Sequence, residues 1–208
     1  KIEIVGSGYC QIIGPLIPSK VNIWNQEIGI KIYKDILNIK PSYALVNEMT
    51  MSDSMVQLYK KFKFKGIFLE LDNTELALKK KINQKNYNGY SALNQKNISL
   101  PIFWTETILF QKLQRYIHNE ISEREYLNFV NNASKKKTPL AIYSNDAEIF
   151  NFRPGRFKEE KKIDTDEWLK FERIIEKLKR KISINLPSNL KKDKKNILLK
   201  VNSTSFPI

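Results

Sequence analysis

Hydrophobic and polar positions alternate or recur along this chain in short, distinct blocks. Lys1–Val5 alternates and is rich in Ile and Val, which predicts a strand, and Gly6-Ser7-Gly8 predicts a flexible turn after it. Pro15 and Pro18 bracket an apolar loop. Ile28, Ile32 and Ile36 recur every four residues beside Tyr33 and Leu37, predicting a helix from about Asn25 to Asn38. Tyr43–Val46 predicts a short buried strand, Ser52–Phe62 a helix, and Ile67–Leu71 a strand ending at Asp72-Asn73. Leu78–Ser99 is polar and aperiodic, which predicts a long loop. Leu100–Trp104 predicts a strand and Thr105–Asn119 a helix. Ser122 and Glu125 stand at capping-box spacing and open a helix running to about Asn132. Pro139–Tyr143 predicts a strand. Asp164 and Glu167 precede a helix over Trp168–Lys179, and Ile182–Ile184 and Ile197–Val201 are weaker strand candidates. Strands alternating with helices indicate an α/β fold on a parallel sheet, open or closed.

Composition narrows the chemistry. The chain has 208 residues, enough for one domain or one and a piece, and 41% of them are hydrophobic, which excludes wholesale disorder. No apolar run approaches the length of a membrane span. Cys10 is the only cysteine, so no internal disulfide forms, as expected of a reducing, cytoplasmic compartment. His118 is the only histidine, which excludes multi-histidine metal sites within these residues. Neither a metal nor a cofactor is expected. The net charge is +14, carried by 30 lysines and six arginines, and half of the excess lies between Glu176 and Lys200. Such a run reads as a solvated lysine surface; with no helix-turn-helix, zinc-finger or RNP-like segment, nucleic acid is not an expected partner, and neither is a membrane. The oligomeric state is not legible. Because residue 1 is Lys and the first residues already look like strand, a segment truncated at its ends is expected.

The residues just past each strand are the informative ones. Asn47-Glu48-Met49 follows Tyr43–Val46, Asp72-Asn73 follows Ile67–Leu71, and Ser144-Asn145-Asp146-Ala147-Glu148 follows Pro139–Tyr143. Chemistry in α/β folds gathers at the C-terminal ends of strands. In a closed parallel barrel those ends converge on one rim, which would set Glu48 and Asp146 across a cleft. Two carboxylates around a sugar-sized gap are the minimal apparatus of glycoside hydrolysis, one ionised and one protonated. Strand-end acids also cap helices and bind loop amides, and periodicity alone leaves that reading open.

Three motifs resemble glycoside hydrolase family 57: the run from Glu3 through Gly6-Ser7-Gly8-Tyr9 to Pro18, the run Ala44-Leu45-Val46-Asn47-Glu48-Met49, and the run from Leu140 through Asp146 to Glu148. The resemblance spans about Ile2 to Phe157. It implies an irregular (β/α)7-type barrel, incomplete at both ends of this segment. Residues 1–160 would be the catalytic barrel portion, and 161–208 its continuation or the truncated start of a C-terminal helical region. It implies a retaining enzyme acting on α-glucan, either a hydrolase or a glucanotransferase. Glu48 matches the family's nucleophile and Asp146 its general acid, with Glu148 the second acid of that motif. The resemblance also places Glu3, Ser7 and Tyr9 in the segment shaping the sugar site, and Arg153 or Arg156 near substrate hydroxyls or the acid. Asp146 is expected to have the higher pKa of the pair, through burial beside Phe150 or Phe152 and the charge of Glu48.

Aromatic rings stack on sugar faces, so Trp104, at the end of a strand, is a substrate-binding candidate alongside an ordinary core role; Trp24 is expected in the core and His118 at the surface or in packing. Two other activities fit the resemblance: a barrel that binds carbohydrate without turnover, and a metal-dependent sugar deacetylase on a similar fold, which a single histidine disfavours.

Overall fold

The computed structural model describes residues 2–144, 150–153, 166–190, 193 and 196–200. They form a mixed α/β fold in two compact units, Lys1–Thr105 with Leu186–Ile208, and Glu106–Asn185.

The first unit is built on a five-stranded sheet: β1 (Tyr43–Leu45), β2 (Gly66–Glu70), β3 (Tyr90–Leu93), β4 (Ser99–Thr105) and β5 (Ile197–Lys200), in the order β1-β2-β4-β3-β5. The sheet is partial and unclosed, with β1 and β5 at its ends. β1, β2 and β4 run parallel, as the alternating pattern predicts. β3 departs from it: it is antiparallel to β4 and parallel to β5. On one sheet face Ile67, Leu69, Leu100, Ile102 and Trp104 join Ala44 and Val46 in a core closed by Met55, Val56 and Tyr59 of helix α2 (Asp53–Lys61). On the other, Phe68 stacks on Phe103 at 5.3 Å and Tyr43 meets the same ring edge-on at 5.0 Å.

Three sequence expectations change in this unit. Of the strand expected over Lys1–Val5, the described residues 2–5 are not strand; the segment makes one parallel bridge, Gly6 to Ala44, in which Gly6 N donates to Tyr43 O and Leu45 N to Gly6 O, both at 2.8 Å. β1 is only three residues long, so it offers that segment a bridge and no ladder. The long loop expected over Leu78–Ser99 instead holds a 3-10 stretch, Gln84–Gly89, and then β3. β3 shows no alternation because all four of its residues are buried. The turn into β4 is made by Asn94, whose Oδ1 accepts from Ile98 N at 2.8 Å and Lys96 N at 3.0 Å. Third, β2 runs directly into a helix, α3 (Leu71–Leu78), capped by the Glu70 carboxylate accepting from Asn73 N.

Helix α1 (Ser19–Leu37) starts earlier than its isoleucine period suggests, immediately after Pro18. Its buried residues are Asn22, Asn25, Gln26 and Gly29, spaced i, i+3, i+4, i+7, while Ile36 and Leu37 are exposed. Trp24, expected in the core, is 58% exposed, because α1 turns its polar face inward.

The second unit contains α4 (Thr107–Ile117), α5 (Glu123–Ser134) and α6 (Glu167–Lys179). Leu113, Tyr116, Ile117, Tyr126, Val130, Ile174 and Leu178 form its core together with Phe150. Ser122 caps α5 as its spacing predicts, its Oγ accepting from Glu125 N at 3.2 Å. Tyr116 stacks on Tyr126 at 5.3 Å, and burial, with Glu123 nearby, pushes the Tyr116 phenol up to about 12. Pro139–Tyr143 is not a strand: Ile142 N bonds back to Leu140 O at 3.0 Å, a tight local turn that no ladder accommodates. Ile182–Ile184 is likewise irregular, whereas Ile197–Lys200 is β5, as expected. Asp164 lies outside the described residues, and α6 starts at Glu167.

Candidate active site

Glu48 sits three residues past the C-terminal end of β1. Residues Asn47–Met49 form a single 3-10 turn closed by Met49 N donating to Val46 O and Thr50 N to Asn47 O. Glu48 (φ 51°) and Met49 (φ 50°) both occupy the left-handed region. That conformation costs non-glycine residues about 1–3 kcal/mol each and is found disproportionately at functional sites. Among the described residues the other non-glycine residues with positive φ are Asn or Lys, and Glu48 and Met49 are the adjacent pair. The turn lifts the Glu48 side chain clear of the sheet into partial exposure. There its Oε1 accepts a hydrogen bond from Gln11 Nε2.

Gln11 belongs to the segment after Gly6, which α1 holds by its backbone. Tyr9 N donates to Asn25 O at 3.0 Å and Cys10 N to Asn25 Oδ1 at 2.7 Å, while Asn25 Nδ2 returns a bond to Cys10 O at 3.1 Å. Asn47 Nδ2 reaches the same carbonyl at 3.5 Å. Ser7 N donates to the Tyr33 hydroxyl at 3.2 Å. Such close docking explains Gly8 and Gly29. A Cβ on Gly8 would lie 2.0 Å from Asn25 Nδ2, and one on Gly29 would lie 2.9 Å from the Gly8 carbonyl carbon and the Tyr9 nitrogen. The Gly6-Ser7-Gly8 stretch is therefore a close-approach strip and not a free turn.

Behind the Glu48 turn lies a small pocket of about 230 Å³, its open mouth included. Asn22, Asn25, Gln26, Asn47 and Thr50 supply its polar wall, and Ile12, Met55 and Tyr59 its apolar one. None of the α1 amides stood out in the sequence. The signal was there: a helix whose i, i+3, i+4, i+7 face is Asn, Asn, Gln and Gly has no apolar reason to bury that face.

The remaining candidates are placed as follows. Tyr9 is 54% exposed beside Cys10. Glu3 faces the N-terminal end of β1: its Oε2 accepts from Ser188 N at 3.0 Å, and burial first, then the Glu3 charge, raises the Tyr43 phenol. Glu48 follows the opposite end of that strand. Trp104 is 4% exposed in the core of the first unit, opposite Leu69 in the ladder and edge-on to Tyr90 at 6.1 Å. Arg153 belongs to the second unit, where its guanidinium engages the Glu167 carboxylate through both terminal nitrogens, Nη1 at 3.1 Å from Oε2. Glu167 also accepts from Asn151 N at 2.7 Å. Burial alone pushes the Glu167 carboxyl up, but the Arg153 hydrogen bond, the Asn151 amide, and the Arg153 and His118 charges together hold it below the ordinary value. His118 is half-buried and caps α4. Asp146, Glu148 and Arg156 lie outside the described residues, as does any pairing of Asp146 with Phe150 or Phe152. Among the described residues no cluster of three or more His, Cys, Asp and Glu side chains forms, and no helix is long and apolar enough to cross a membrane.

Comparison with known proteins bears on the fold and the family. In fold the chain is similar to the 4-alpha-glucanotransferase of Thermococcus litoralis, with a TM-score of 0.67 at 17% identity over 98% of this chain and 29% of that one. An exo-type maltose-forming amylase from Pyrococcus sp. ST04 gives 0.67 at 13% identity over 96% of this chain and 34% of that one. A branching enzyme from Pyrococcus horikoshii gives 0.61 at 13% identity over 98% of this chain and 47% of that one. The chain thus spans less than half the length of each of these structures. No match is found among curated proteins. The sequence profile of glycosyl hydrolase family 57 matches residues 1–198, almost the whole chain, and the protein with its strained Glu48 turn belongs to that family.

Proposed function

We propose that this chain is the catalytic portion of a retaining enzyme acting on α-linked glucan, with Glu48 as nucleophile and Asp146 as general acid and base. The observation that carries the reading is the Glu48 turn. A carboxylate at the end of a parallel strand, lifted out by two left-handed residues and steadied through one oxygen by Gln11, meets no donor at its second oxygen among the described residues and can present it for attack. Family membership and the glucan-active enzymes of similar fold support the substrate class. The open sheet forms part of an irregular (β/α)7-type barrel, with residues 1–160 its catalytic portion.

In the first step a Glu48 oxygen bonds to the anomeric carbon, the glycosidic C–O bond breaks, and the Asp146 proton passes to the leaving oxygen. In the second, water or an acceptor hydroxyl attacks the same carbon, its proton goes to Asp146, and the Glu48 ester is released. Two inversions return the original anomer. Such a pair works at about 5–5.5 Å between carboxyl groups. Tyr9, exposed beside the Glu48 segment, offers a ring face to the sugar, and Ser7 belongs to the strip on that side, whereas Glu3 lies toward the opposite end of β1. Glu148 keeps the role of second acid in the Asp146 motif, and Arg156 that of a substrate-binding candidate.

The test is covalent trapping on the full-length protein. A 2-deoxy-2-fluoro-glucosyl fluoride should esterify Glu48, read by mass spectrometry of the labelled peptide, and Glu48→Gln should abolish turnover on an α-glucan panel while keeping the fold. A label on another residue, or an active variant, refutes the assignment. Binding of glucan without hydrolysis or transfer by the unaltered protein would select a binding barrel instead.

A further inference from the structure

We propose that Gln26 is a substrate-reading residue: the pocket behind the Glu48 turn receives one hydroxyl of the sugar held at Glu48, and the Gln26 side-chain amide accepts its hydrogen bond. The inference rests on the glucan reading above and adds a specificity residue to it.

Asn22 donates to Gly14 O at 2.8 Å and Ile17 O at 3.0 Å. Asn25 spends both ends of its side chain on Cys10. Asn47 leans on the same Cys10 carbonyl, and the Thr50 hydroxyl donates to Asn47 O at 3.2 Å. Each of these polar groups on the wall is occupied in holding the chain together. Gln26 differs. It is 4% exposed, and its Oε1 meets no hydrogen-bonding group among the described residues. A buried amide oxygen left without a donor is destabilising, so the position is poor as a packing choice and sensible as a recognition site.

Size and charge select the ligand. The inner pocket has room for about one water molecule, which admits a hydroxyl and not a sugar ring. The wall carries no charged side chain. An anion would be repelled by the neighbouring Glu48, and an ammonium would meet the amide N–H groups of the wall. A hydroxyl both donates and accepts, so it satisfies the Gln26 amide in either orientation. Asn47 lines the pocket and immediately precedes Glu48, so a ring seated against Glu48 is the source closest at hand.

The experiment uses the full-length protein carrying Glu48→Gln, which binds without turnover, and titrates it calorimetrically with maltotetraose. Adding Gln26→Met keeps the side-chain length and removes the acceptor. Affinity should then fall about tenfold, the worth of one hydrogen bond, with a melting temperature equal to or above the parent's because no unsatisfied group remains. Equal affinity in the two proteins overturns this inference alone. Failure of the Glu48→Gln parent itself to bind maltotetraose sinks the glucan reading and this inference with it. A crystal structure of the parent with maltotetraose decides the matter independently of how any Gln26 variant folds. A sugar hydroxyl within hydrogen-bond distance of Gln26 Oε1 supports the role, and a water there in its place overturns it.

Discussion

Replacing Arg153 by methionine separates a structural from a substrate-binding role for that residue. In the structure Arg153 meets Glu167 through two nitrogens, and the Glu167 side chain has 0% exposure. The variant leaves that carboxylate with the Asn151 amide and without its counter-charge. Removing one member of a buried ion pair costs about 3–5 kcal/mol, a large share of the roughly 5–15 kcal/mol that holds a domain folded. In urea, where the slope is about 2 kcal/mol per molar, the unfolding midpoint should drop by roughly 1.5–2.5 M. Trp168, on the same helix as Glu167, is a suitable fluorescent reporter. The pH dependence carries a sign. In the wild type the Glu167 carboxyl is held below its ordinary value, so its stabilisation is present above the ordinary carboxylate pKa and lost as pH falls through the lowered one. In the variant burial dominates and raises the same carboxyl, so protonation relieves the unpaired charge. The gap between the two proteins should therefore narrow on acidification, and Glu167→Gln added to Arg153→Met should recover part of the loss. A midpoint change under about 0.5 M, or a gap that widens toward acid, would falsify the structural assignment.

Two further substitutions probe the Glu48 side. Gln11→Ala removes the hydrogen bond to Glu48 from an exposed position, so stability should stay within about 0.5 kcal/mol while kcat falls about tenfold; unchanged kcat on the glucan that the wild type uses would dismiss Gln11 as a positioning residue. Gly29→Ala gains about 1 kcal/mol of helix propensity, but its methyl meets the Gly8 and Tyr9 backbone at 2.9 Å, and overpacking of that kind costs about 1–3 kcal/mol. The net should be destabilising by chemical denaturation, and a stabilised Gly29→Ala would show that α1 docks less tightly than described.

Elements stabilised by their own local pattern were legible in the sequence. α2, α4, α5 and α6 each carry an apolar stripe at helical spacing, and the predicted spans fall within two or three residues of the observed ones. The Ser122 cap was readable from spacing alone because a cap is a contact between residues three apart. β1, β2 and β4 were readable because buried parallel strands are compact apolar runs. Elements made by non-local pairing were not. β3 is polar-looking and lies in what read as a loop, and it exists because β4 and β5 supply hydrogen bonds on both of its sides. Pro139–Tyr143 has the composition of a strand and forms no ladder among the described residues.

The same division holds at the site. By itself the amino-acid order determined that a carboxylate follows the first short strand, since Glu48 is two residues beyond Val46, the last of an apolar run, and its motif matched a family of carbohydrate-active enzymes. Only the tertiary structure decided how that carboxylate is held. The left-handed Glu48 turn, the Gln11 contact 37 residues away, the docking of the Gly8 strip on Gly29, and the inward polar face of α1 all arise between segments distant in sequence. Local propensity carries no record of such contacts, because their free energy appears only once the backbone has brought the partners together.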